Sequence, residues 1–304
     1  MRDEGFSRGV ASAFAGACAW GLSGAMIQFI FSRYEISPLL MTAFRMLGAG
    51  ALFLIVLIAR RREQLHAMLA DADSRRRLLV FGSLGLFANS ALYSTTVLHT
   101  NAGTATVMQT SSAALLLALA CLRVRRLPSA RELAALICAL AATLLIATGG
   151  RPGTLALSPA GLAAGCAMVV ATAFYIAYPA PLFARWGSLA VTGVGMAVGG
   201  ISALATCLVT GAVSAGLPAI DALGIAMIVL NIVIGTFGAY GLYLHGVSIV
   251  GSVNGSMIGA VEPVSATLFS ALWLGTAFGW ADWVGLVLMV ACVTIIAGQE
   301  SEAR

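Results

Sequence analysis

Apolar residues fall along this chain in ten blocks divided by polar breaks, at 9–30, 38–59, 78–98, 102–122, 131–149, 159–184, 189–211, 221–245, 251–274 and 280–297. A helix rising 1.5 Å per residue needs about 20 mostly apolar residues to cross a bilayer, and every block is near that length. Most breaks are too short for anything but a turn between antiparallel neighbours. The exception is RRREQLHAMLADADSRRR, 60–77, which reads as one long polar connection between the second and third spans. The pattern predicts an all-α polytopic membrane protein with ten transmembrane helices. The first block follows Arg2 and Arg8, but Gly9 to Ile30 is too long for the apolar core of a signal peptide and reads as the first span.

Composition removes the main alternative. Of 304 residues 60% are hydrophobic and 10% charged, with a mean hydropathy of +0.96. Soluble domains carry about 25% charged residues, so no soluble domain is left to do chemistry. No phosphate-binding glycine loop of the nucleotide-hydrolysing type occurs, which argues against an ATP-driven machine. His66, His99 and His245 sit in polar connections or at span ends without metal-ligand spacing, and no Ser/His/Asp order suggests a hydrolase. Cys18, Cys121, Cys138, Cys166, Cys207 and Cys292 all lie in or beside apolar blocks and read as packing residues. No cofactor is expected.

Charge sets the orientation. All 17 basic residues are arginine. With the N-terminus in the cytoplasm, Arg2, Arg8, Arg60, Arg61, Arg62, Arg75, Arg76, Arg77, Arg123, Arg125, Arg126, Arg131, Arg185 and Arg304 fall on the inner side, against Arg33 and Arg151 outside. The positive-inside rule then places both termini in the cytoplasm. The net charge of +5 is thereby a topology signal facing anionic lipid, not a nucleic-acid surface.

Displacing the sequence by 150 residues brings several landmarks into register. Tyr93 falls on Tyr243, Met46 on Met196, Gly50 on Gly200, and Ser112-Ala113 on Glu262-Pro263. Five spans separate the copies, and five is odd, so the second copy enters the membrane upside down. The halves are 9–150 and 159–298. Two inverted five-helix repeats with a midplane site between them are a common transporter plan.

AWGLSG at 19–24, FRML at 44–47 and VEPVSATLF at 261–269, set within those two halves, resemble the EamA-type permeases of the drug/metabolite transporter superfamily over about 9–298. The resemblance implies a ten-helix transporter of small polar or amphipathic metabolites whose fifth and tenth helices are peripheral. The run WGLSGAMIQFIFSRYEISPLLMTAFRML is similar to a branch that includes choline-type uptake permeases. Two departures stand out. Glu132 is displaced from the glutamate many members carry after the fourth helix, and Ala113 replaces the proline that would match Pro263.

Glu262 is the first candidate site residue. It lies eleven residues into the ninth span, about 16 Å deep, where a charge costs at least about 2.5–3.5 kcal/mol and usually has a function. Either it is the counter-charge for a cationic solute or the group that takes up a coupling proton, or it pairs with Arg45 to hold helices together. Arg45 lies seven residues into the second span from the other side, about 10 Å deep; it reads first as structural and alternatively as a cavity charge. Trp20, again about 16 Å deep, offers a ring face to a cation, or simply packs. Tyr93 and Tyr243, on opposite sides of the centre, read as two gates or as interfacial anchors. Asn89, Gln109, Ser112 and Asn231 are mid-depth polar groups that either bond between helices or line a cavity. Tyr178-Pro179-Ala180-Pro181 predicts a kink late in the sixth span.

The expectation is a secondary transporter in a bacterial cytoplasmic membrane, alternating access about Glu262. A small amine, amino acid or quaternary ammonium solute is favoured, moved with or without proton coupling. Export of a carboxylate-bearing or drug-like solute is the alternative, and a non-transporting membrane assembly or binding protein is the alternative of another class. The expected partners are a small-molecule substrate, protons and the bilayer, with no nucleic acid, and with a homodimer left open.

Overall fold

The computed structural model describes residues 2–151, 153, 155–212 and 219–302; Arg304, counted above, lies outside them. Ten helices among the described residues are long and apolar enough to cross a membrane. They are α1 (Arg2–Arg33), α2 (Pro38–Ala70), α3 (Ala72–His99), α4 (Ala102–Thr110 and Ser112–Arg123) and α5 (Ala130–Thr148), followed by α6 (Pro159–Trp186), α7 (Ser188–Val209), α8 (Ala222–Val250), α9 (Ser252–Gly259 and Val261–Leu272) and α10 (Trp280–Glu302). Lipid offers backbone groups no hydrogen bonds, so helices that satisfy their own are what this composition permits.

The helix starts follow from local chemistry. Ser37, Asp71, Asn101, Ser129, Ser158 and Asp221 each turn a side-chain oxygen onto a backbone N–H of the first turn of the helix that follows. Ser129 and Glu132 form a reciprocal capping box at α5. Gly149, in the left-handed region at φ 61°, ends that helix. Tyr178-Pro179 interrupts α6, which resumes at Ala180.

The connection expected over 60–77 is a correction. α2 kinks at Arg61 (φ −146°, ψ 38°) but continues as helix to Ala70, and α3 begins at Ala72. Leu65 and Met68, one turn apart, are buried with Leu182, Phe183 and Trp186 at the end of α6. The Gln64 side-chain amide donates to the Trp186 carbonyl at 2.6 Å. Charge density hid an amphipathic turn whose apolar side needs only two residues. His66 is therefore on a helix.

The 150-residue offset reappears in space. The ideal Cβ position of Gly50 on α2 lies 2.8 Å from the Ala197 nitrogen, and that of Gly200 on α7 lies 2.8 Å from the Leu47 nitrogen. Gly82 on α3 abuts Val198 in the same way that Gly48 on α2 abuts Ile232 on α8. Each contact is the image of its partner, so α2 and α7 cross at the pseudo-twofold axis with backbones nearly touching. α3 and α8 each contain a π-helical stretch, Phe81–Phe87 and Asn231–Gly238, again 150 residues apart at their starts. α1 packs on α8 through small residues, Gly16 against Ala239 and Tyr243, and Gly246 against Gly9 and Ala13. α5 and α10 pack on one another around Ala139, Ala142, Ile146 and Met289, apart from the axis. The arginines at 60–62, 75–77, 123, 125, 126 and 185 gather at one end of the bundle, where α2, α4 and α6 finish.

Two outcomes follow. Gly50→Ala and Gly200→Ala each place a Cβ against backbone that cannot rotate away, and each should destabilise the protein by about 1–3 kcal/mol. Gly241→Ala, with nothing within 4 Å, should leave the thermal unfolding midpoint in detergent unchanged or raised. Asp71 caps α3, and hydrogen bonds from Ser74, with Arg185 nearby, hold its carboxyl below the ordinary aspartate range. A lowered folded pKa contributes stability above the unfolded value of about 3.9 and loses it as pH falls through the folded value. Asp71→Ala should therefore unfold at a lower temperature than wild type at pH 7, with the gap closing below about pH 4.

Candidate functional site

Two spanning helices break at mid-depth. α4 interrupts at Ser111 (φ −60°, ψ −15°) and α9 at Ala260 (φ −63°, ψ −9°). Pro263 has no N–H to offer the Gly259 carbonyl, yet Ala113 stands at the matching place in α4 and the break occurs there too. Irregular backbone at membrane depth is tolerated where it lines a cavity, and a cavity of about 270 Å³ lies there. Glu262 sits in the first turn of the second half of α9, where the positive end of the half-helix dipole favours an anion.

Of the nine sequence-predicted residues, Trp20, Arg45, Asn89, Tyr93, Gln109, Ser112 and Glu262 line this one cavity. Arg45 and Glu262 both face it and make no ion pair with each other. The Glu262 carboxylate has no hydrogen-bond partner among the described residues. Arg45 is held from the side: its guanidinium donates to the Ser90 hydroxyl, and one turn away Thr42 donates to Ser94 at 3.2 Å. The Arg45 Nε is buried with no partner among the described residues. Asn89 accepts from the Thr172 hydroxyl at 2.6 Å, and Tyr93 bonds Thr106 at 3.1 Å.

The other two lie outside the lining. Asn231 is fully buried and donates to the Ser23 carbonyl and hydroxyl, both at 2.9 Å, tying α8 to α1. Tyr243 donates to the Gly255 carbonyl at 3.0 Å and backs the Trp20 ring at a centroid distance of 4.7 Å.

Residues passed over in the sequence complete the wall. Tyr240 meets Trp20 edge-on at 4.8 Å, and its hydroxyl bonds that of Tyr175 at 3.1 Å. Tyr175 and Thr172 bring α6 into the lining, and Val293 adds the otherwise remote α10. Tyr240 was within reach, one helical turn before Tyr243. Repeat matching skips it because its mate, Ser90, is not aromatic. Trp20, Tyr240 and Tyr175 thus form a continuous aromatic side, with Glu262 and Arg45 as two separate charges on the same cavity.

The model of the EamA-like transporter family matches this chain twice, at residues 7–148 and 159–298. An uncharacterized inner membrane transporter, YicL, of Salmonella typhimurium is 32% identical over 293 residues, covering 95% of each chain. A crystal structure of a protein 19% identical in sequence superposes on 98% of this chain and 99% of its own with a TM-score of 0.64, a likeness of fold alone. The chain belongs to the EamA-like transporter family.

Proposed function

We propose that this membrane transporter is a secondary carrier for a small solute bearing an ammonium group and a carboxylate, of the amino-acid kind, moved by alternating access across a bacterial cytoplasmic membrane. Both termini lie in the cytoplasm in this reading, because the arginine-rich end of the bundle is then the inner one. The observation that carries the proposal is the pair of opposite, mutually unpaired charges on one cavity. A solute cation alone would satisfy Glu262 and leave Arg45 bare, and a solute anion would do the reverse. A zwitterion satisfies both, and unpaired charges in a low-dielectric site are what binding must avoid. The ring faces of Trp20, Tyr240 and Tyr175 suit the ammonium end. Arg45, fixed by Ser90, presents a planar fork suited to a carboxylate. When the cavity is empty of solute, a proton on Glu262 removes its charge, which makes that residue the natural place for proton coupling.

The direct test is flux into proteoliposomes, with and without a pH gradient, of a neutral-chain amino acid, a simple primary amine, a quaternary ammonium and a carboxylate. Glu262→Gln should cut flux of the zwitterion about 10- to 100-fold, the worth of one charged hydrogen bond. Arg45→Met should weaken the zwitterion by a similar factor while sparing the simple amine. Equal losses for both solutes in Arg45→Met would make Arg45 a packing residue, and undiminished flux in Glu262→Gln would remove the central carboxylate from the mechanism. Asn231→Ala separates stability from transport. Losing its two bonds to Ser23 should cost about 1–3 kcal/mol of stability, with flux per folded molecule unchanged.

A further inference from the structure

The two halves share a frame but not a conformation, and the difference lies at the ends of α4 and α9. At the end opposite the arginine clusters, Gln28 on α1 gathers three elements. Its side-chain oxygen accepts from the Ala102 backbone N–H at 2.9 Å and from the Ser270 hydroxyl at 3.0 Å, and its amide donates to the Thr276 hydroxyl at 2.8 Å. Around it Phe29 stacks on Trp273 at 5.5 Å, and the ideal Cβ of Gly103 would lie 2.8 Å from the Thr267 hydroxyl. The start of α4, the end of α9 and the end of α1 are therefore drawn together over the cavity.

Among the described residues, the images of Gln28, Ser270 and Thr276 at the arginine-rich end do not meet. Tyr178, the mate of Gln28, stacks on Phe174 of its own helix at 4.8 Å. Ala120, the mate of Ser270, is exposed. Arg126, the mate of Thr276, is engaged by Glu132 through two contacts of 2.6 Å. The first half of α4 packs on α1 and on the second half of α9, whereas the first half of α9 has no comparable packing on α6 or on the second half of α4. Burial follows the same split. Thr104, Thr106 and Val107 are buried, while their mates Asn254, Ser256 and Met257 are exposed, and Ser256 is on the cavity lining.

We infer that Gln28 is the latch holding the cavity closed at the end opposite the arginine clusters, in a protein that rests open at the arginine-rich end. Passage to the opposite state breaks its three hydrogen bonds and lets the first half of α9 pack as the first half of α4 does now. The inference rests on the transport reading for its meaning, but its readout is conformation rather than flux.

Two added-cysteine reporters, Thr104→Cys and Asn254→Cys, are placed one at a time at image positions in sealed vesicles. A membrane-impermeant maleimide is added to each side in turn. Peptide mass locates the label, so the six native cysteines stay in place. In the otherwise wild-type chain Asn254→Cys should react from the arginine-rich side and Thr104→Cys slowly from the other. Adding Gln28→Leu should speed Thr104→Cys about tenfold, the size expected when one or two net hydrogen bonds no longer favour the closed end, and slow Asn254→Cys. Thr276→Val with Ser270→Ala leaves Gln28 in place and should shift both rates the same way, which decides the matter if Gln28→Leu does not fold. Unchanged rates, or equal acceleration of both reporters, would overturn the latch. If the rates shift while no tested solute is carried by wild type, the latch stands and the transport reading falls. If wild type carries solute while the rates do not move, only the latch falls.

Discussion

A charge placed in hydrocarbon has to be given surroundings that answer it, and much of this structure follows from where Glu262 and Arg45 are. Neither pairs with the other, and both open onto one cavity of about 270 Å³. To make that cavity, α4 and α9 break at Ser111 and Ala260, giving Glu262 a half-helix N-terminus to sit on. Arg45 could not be tolerated without lateral support, and α3 supplies it by aligning Ser90 and Ser94 with Arg45 and Thr42 across an antiparallel pair. The bundle is built so that two expensive groups face the same small space.

The inverted repeat explains the frame but not the chemistry. Image contacts such as Gly50 with Ala197 and Gly200 with Leu47 show one packing solution used twice, and the π-helical stretches of α3 and α8 coincide under the same offset. The cavity wall breaks the symmetry. Glu262 has Ser112 as its image, Arg45 has Gly195, Tyr240 has Ser90 and Trp20 has Val170. Close-packed helix crossings tolerate few side chains, so both copies keep them. The side chains of a cavity wall are not fixed by a crossing, and nothing in packing requires its two sides to match.

The same division governs what could be read from the amino acids. The ten spans were legible because hydropathy over about 20 residues is a strong signal in a bilayer. The repeat was legible at Gly50 and Gly200, where only the smallest residue fits. Seven of the nine candidate residues line the cavity because isolated polar groups in apolar runs are rare enough to count. The misses are local in origin. Residues 60–77 look like a loop because their apolar side amounts to little more than Leu65 and Met68. Tyr175 and Tyr240 carry no charge to mark them, and aromatic residues are as much at home against lipid as in a site. Asn231 carries the same signal as Asn89, yet one ties α8 to α1 and the other faces the cavity; rotation of a helix by half a turn is invisible to composition.

A site with unlike walls and a frame with like halves constrain how the protein can work. The two charges and the Trp20, Tyr175 and Tyr240 rings on the cavity wall come from α1, α2, α6, α8 and α9, and they cannot exchange roles, because their images are different residues. The ends of α4 and α9 can exchange roles, because their images are the same kind of helix broken at the same place. The movement proposed above therefore falls to the half-helices and not to the α2–α7 crossing, where a backbone separation that excludes even one methyl group leaves no room to slide. Glu262 stands two residues past the break at Ala260, so in the proposed cycle neutralising its charge would act on the half-helix that carries it. Under that proposal the adjacency would link occupancy of the cavity to the position of α9 without any longer path.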